Sequence, residues 1–219
     1  MSPTPTPRGG PRRLLTLTAW LSVGVHVTGL ALAVIGMRPG TPLVPAGERV
    51  AYLAGRPLAW SLGWAAWMLC ALALVAFLAV LAQVVPQASA ILGPAVMLAA
   101  AGAAVDLTCD TLFITVVPTL ARDGPTPLFL TVERALGAGG VVVANGLYSV
   151  AILLATLGLR GQPVMPPFVL GLGYTTFAAG MLMVAAGFTG DPQQLQVATG
   201  LTILPFTAWT LGVARSLRA

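Results

Sequence analysis

Residues 57–85 read PLAWSLGWAAWMLCALALVAFLAVLAQVV, a stretch without a charged side chain. At about 1.5 Å of rise per residue it is longer than the roughly 30 Å hydrocarbon core of a bilayer, so it can cross one as a helix. Pro57 stands at the first helical turn, where a missing amide hydrogen costs nothing, and Pro86 ends the run. A second apolar run, 90–117, begins after a break that spans only Pro86 to Ser89 and stops before Pro118. So short a connection permits a tight turn and nothing else, which predicts two antiparallel neighbouring helices.

The same reading extends in both directions. Upstream, 14–37 is an apolar span; the basic Arg12 and Arg13 and the Ala31-Leu32-Ala33 sequence also suit a cleaved secretory signal, but the run exceeds the usual apolar length and contains His26. Residues 1–13 (MSPTPTPRGGPRR) predict a disordered basic leader. The stretch from Arg38 to Arg56 is a proline-rich loop with room for one short interfacial turn near Arg49 to Ala54. Downstream, helices are expected at 127–159, 167–188 and 195–215, the last kinked at Pro205. The fold class is all-α: a polytopic transmembrane helix bundle of about six helices, forming a single domain over 14–219.

Composition agrees, with 57% hydrophobic and 8% charged residues against about 25% charged in an ordinary soluble domain. Such a chain lacks the polar groups to cover itself in water, and its expected partner is the lipid bilayer. The net charge of +5 comes entirely from scattered Arg, with no basic, aromatic-interleaved patch, so nucleic acid is excluded as a partner. Without Lys there is no amine for a Schiff base. A single His and two Cys without ligand spacing leave no conventional metal centre, and no cofactor is expected. Counting Arg in the short loops favours a cytoplasmic location for both termini, with Arg8, Arg12, Arg13, Arg160, Arg215 and Arg218 inside and Arg38, Arg49, Arg56 and Arg122 outside.

The chemistry-bearing residues lie mainly in the third and fourth spans. Asp106 and Asp110, in AAGAAVDLTCDTLFITVV, are one helical turn apart and share a face. Ionisable groups inside a span are costly and turn towards a bundle interior or a wet cavity, where they must be neutralised. Arg134, beside Glu133 at the start of the fourth span, is the expected partner of Asp110. Glu133, Gly137, Val141 and Asn145 form an i+4 row with Tyr148 close by, which makes a candidate pocket wall. The alternative is that Asp110, Glu133 and Arg134 staple two helices together, with Asn145 hydrogen-bonding across the bundle. His26 shares a face with Ser22 and Thr18, and is either a proton relay to Asp106 or a neutral, hydrogen-bonded interior histidine. Trp60, Trp64 and Trp67 read as an interfacial belt and core packing. Glycines at 173, 180 and 187 make one smooth side, for an internal contact or a homodimer.

The segments GERVAYLAGRPLAWSLGWAAWMLCALALVAF, VDLTCDTLFITVVPTLARD and ERALGAGGVVVANGLY together resemble a group of uncharacterised bacterial multi-pass membrane proteins from GC-rich genomes. The resemblance implies a bacterial six-helix membrane protein of unknown function and transfers no active residue; the bacterial inner membrane is the expected location. Two functions are open to these residues: binding or transport of an ion, proton or small solute, or a non-catalytic scaffold subunit that contacts a second copy or another membrane protein. An intramembrane enzyme acting on lipid or quinone lacks an activated nucleophile.

Overall fold

The computed structural model describes residues 10–218. Six of its helical stretches are long and apolar enough to cross a membrane: Gly10–Gly40, Leu58–Val84, Pro86–Asp123, Thr126–Leu159, Pro167–Thr189 and Pro192–Ser216. No strand occurs among the described residues. The protein is an all-α, multi-pass membrane bundle. Its elements are α1 (Gly10–Leu32), α2 (Ala46–Ala54), α3 (Leu58–Val84), α4 (Ser89–Thr115), α5 (Val117–Asp123), α6 (Thr126–Ala138), α7 (Asn145–Leu159), α8 (Pro167–Thr189) and α9 (Pro192–Ser216).

The spans pack in chain order and close on themselves: α1 against α3, α3 against α4, α4 against α7, α7 against α8, α8 against α9, and α9 against α1. Short connections enforce neighbour-to-neighbour packing, and an even number of spans brings both ends of the chain to one side. The ring is filled, not hollow. Phe77 of α3 meets Trp209 of α9 edge-on at 5.8 Å between ring centres, within a cluster that runs from Leu15 to Leu217. The glycine row of α8 proves to be an internal contact: Gly173 lies against Thr156 and Trp209, Gly180 against Ser149, and Gly187 against Val141 and Val142.

The structure differs from the sequence expectation at several points. Residues 1–9 of the supposed leader lie outside the described residues, but 10–13 are already helical, because Pro11 suits a first turn. Pro118 does not stop the third span; after a bend it occupies the first turn of α5. The loop after the first span holds α2, a full amphipathic helix. The fourth span is interrupted by a π-helical segment, Gly139–Ala144, and the first ends in another, Ala33–Met37. Such segments insert an extra residue into a turn and rotate the downstream part of the helix.

The end opposite the termini is roofed by α2. Leu53, fully buried, sits in a cluster with Met37, Trp60, Phe113, Val117 and Phe129. Tyr52 donates through its hydroxyl to the carbonyl of Gly36 at 2.6 Å, and burial pushes its phenol above the usual range, which keeps the donor proton in place. At Arg56, φ of 47° turns the chain from α2 into α3 ahead of Pro57. Trp60, 2% exposed, donates from Nε1 to the Phe113 carbonyl at 2.8 Å. Trp64 stacks on Phe113 at 4.1 Å. These two tryptophans therefore pack the core and do not form a lipid-facing belt. Trp60→Phe keeps most of the ring volume and leaves the Phe113 carbonyl without its donor, so we expect a loss of about 1–2 kcal/mol in detergent unfolding.

Candidate functional site

Asp106 and Asp110 lie one turn apart on α4, and Asp106 meets the α6–α7 junction at Gly140 and Tyr148 of α7. Three glycines allow close approach around them. A Cβ on Gly102 would come within 2.7 Å of the Tyr148 ring, one on Gly139 within 2.7 Å of Cys109 Sγ, and one on Gly140 within 3.3 Å of Asp106 Oδ1. The bare backbone at 102 lets Tyr148 of α7 lie flat against α4, where its hydroxyl donates to Asp106 Oδ2 at 3.2 Å. Gly102→Ala is expected to push the Tyr148 ring away and break its bond to Asp106, which a change in the tyrosine ultraviolet resonance Raman signal would register alongside a lowered melting temperature.

Asp110 is 1% exposed, and its Oδ2 has no hydrogen-bond partner among the described residues. One turn along the same face, Phe113 carries the stacked Trp64, whose buried Nε1 is likewise without a partner. A buried carboxylate without a cationic partner is expensive in a low-dielectric interior, so it has to be neutralised by a proton or a bound cation.

The expected Arg134 partner is not there. Arg134 is exposed, and Glu133 is instead bound by Arg49 of α2, with Arg49 Nη2 donating to Glu133 Oε2 at 2.6 Å and Nη1 to the Val44 carbonyl at 2.8 Å. Two consecutive helical residues point about 100° apart, so Glu133 facing α2 turns Arg134 outwards. The staple thus joins α6 to the roof helix and leaves α4 out. The supposed pocket wall also breaks. The π-helical segment disrupts the i+4 row, and Asn145 donates to the Gly140 carbonyl at 2.9 Å within its own chain segment. His26 is placed elsewhere. Its Nδ1 lies 2.7 Å from the Ser22 carbonyl, and its ring packs on Phe206 of α9 at 4.7 Å.

Of the six candidates, then, Asp106 and Asp110 share one face of α4, Asn145 bonds the backbone of Gly140 beside Asp106, and Glu133, Arg134 and His26 find other partners or none. Sequence reasoning gave no weight to Gly102 or Gly140. Gly102 had a signal: it stands one turn before Asp106 on the same face. Arg49 was passed over as a loop charge because nothing in one sequence says which loop residue folds back onto a span. No protein family, curated protein or solved structure matches the chain.

Proposed function

We propose that the chain binds a proton or a small monovalent cation at Asp106 and Asp110 and carries it across the membrane. The observation behind this reading is the buried Asp110 carboxylate, one oxygen unpartnered and no ion pair to it among the described residues, one turn from a second carboxylate held by a tyrosine hydroxyl. Proton relays and cation sites in membrane bundles use unpaired acids of this kind, since a permanent salt bridge would leave nothing to exchange. In this reading the roof helix α2 lies above the site, and exchange occurs past it. The test is flux in liposomes: a pH or Na⁺ gradient should drive movement in the wild type and none in Asp110→Asn. Equal flux in both would overturn the assignment.

The chain is further proposed to sit in a bacterial inner membrane with both termini in the cytoplasm, on the strength of the arginine bias. A C-terminal fluorescent-protein fusion should then glow and an alkaline phosphatase fusion stay inactive; the reverse pattern sinks the orientation.

A scaffold role has one observation in its favour. Ala101, Ala104, Thr108, Thr111 and Thr115 form an exposed row on α4, and the three hydroxyls return to carbonyls four residues back at 2.7–2.8 Å, so the row is smooth and fit for close helix approach. Under this reading the aspartates only fix packing, and Ala104→Phe would halve the detergent-corrected mass while leaving any flux unchanged.

A further inference from the structure

We propose that the seam between α1 and α9, at the end of the bundle bearing the termini, holds the headgroup of an anionic phospholipid. The inference is independent of what Asp106 and Asp110 bind. Arg12 and Arg13 lie in the first turn of α1, Arg215 lies in the last turn of α9, and Arg218 stands just beyond; all four are exposed. The two helices pack together, and the contact is fixed by one hydroxyl. Thr16 Oγ1 accepts from Arg218 Nε at 2.6 Å and donates to the Arg12 carbonyl at 3.2 Å. Arg218 is therefore tethered across the seam within one turn of Arg12, with its terminal nitrogens left to meet an oxyanion.

Nothing in the protein's own side chains neutralises this group. All six acidic residues lie elsewhere: Glu48, Asp123, Glu133 and Asp191 towards the opposite end, Asp106 and Asp110 within α4. Among the described residues the ion pairs are Arg49–Glu133 and Arg122–Asp123, neither of which involves this end. The helix dipoles do not help, because the positive amino end of α1 and the negative carbonyl end of α9 lie side by side and cancel. Four exposed guanidinium groups thus stand on two neighbouring helix ends where a span leaves the membrane, and the planar fork of Arg matches phosphate oxygens two at a time.

The surface beneath suits the rest of a lipid. Leu14, Leu17 and Leu21 are 44%, 64% and 54% exposed on the outer side of α1, and Trp20 is 60% exposed beside them. Acyl chains can lie along that apolar strip while the headgroup phosphate meets the arginines, which a soluble anion or an acidic peptide would not exploit. A headgroup with two phosphates fits four guanidinium groups better than one with a single phosphate.

The test is native mass spectrometry of the full chain in non-ionic detergent, titrated with cardiolipin, phosphatidylglycerol and phosphatidylcholine, with inorganic phosphate as the free-anion probe. Cardiolipin should be retained best and phosphatidylcholine least. Arg218→Gln, and separately the pair Arg12→Gln and Arg13→Gln, should each weaken cardiolipin retention by roughly tenfold, while Arg160→Gln, in the α7–α8 connection, leaves it unchanged. Arg218→Gln keeps the α1 charges intact, so it reports on the seam even if the double variant fails to insert. Retention indifferent to headgroup charge, an equal loss in Arg160→Gln, or equal stabilisation by inorganic phosphate would each overturn the proposal.

Discussion

Glu133→Gln should lower the unfolding free energy by about 3 kcal/mol, read as a fall of roughly 10 °C in melting temperature. Arg49 and Glu133 are both about 9% exposed at their side chains and meet at 2.6 Å. Each also keeps a polar atom unpartnered, Arg49 Nε and Glu133 Oε1, so the pair is held by one strong contact and has little to fall back on. Replacing Glu133 with its neutral amide leaves a buried guanidinium without its counter-charge. The desolvation cost of that group is then uncompensated, which is why breaking a buried pair costs far more than the pair itself contributes. The double variant Arg49→Met with Glu133→Leu should recover most of the loss, since matched apolar side chains need no desolvation. If Glu133→Gln melts like the wild type, α2 is not clamped to α6 by this contact.

Asp110→Asn is expected to act in the opposite way. It keeps the shape of the side chain and removes the unpartnered carboxylate that the proposed ligand neutralises. In detergent, the wild type should be stabilised by its ligand by about 2.7 kcal/mol when the ligand is at a hundred times its dissociation constant, and the variant by nothing. If the ligand is a proton, wild-type stability declines as pH rises at fixed salt, because the ligand becomes scarcer; if it is Na⁺ or Li⁺, stability declines as that ion is withdrawn at fixed pH. Asp110→Asn should flatten whichever dependence is seen, without a large loss of stability at the wild type's optimum. A variant less stable than wild type under every condition, with no ligand dependence in either, would assign Asp110 to packing and move the scaffold reading forward.

Spans and their order were legible because membrane insertion imposes a local rule: a run of apolar residues long enough to cross, bounded by proline and charge. Residues 57–85 obey it, and the structure places α3 at Leu58–Val84. The tight break at Pro86 to Ser89 likewise foretold that α3 and α4 would pack side by side. Proline was less reliable. Pro118 looks the same in sequence whether it ends a helix or opens a new one, and what settles it is the packing of Val117, Pro118 and Ala121 under α2.

The sequence alone determined that this chain lives in lipid, that it forms an all-α bundle of about six spans, and that Asp106 and Asp110 share one face of the third. All of these depend on residues close together in the chain, through helical rise and periodicity. Tertiary structure alone decided which charges meet. Arg49 reaches Glu133 across 84 positions, and Arg218 reaches Thr16 across 202. Tyr148 reaches Asp106 only because Gly102 has no side chain to hold α7 away. Contacts of this kind depend on how the ring of helices closes and on the π-helical segment that disrupts the fourth span's register, and no periodicity within a single segment carries that information.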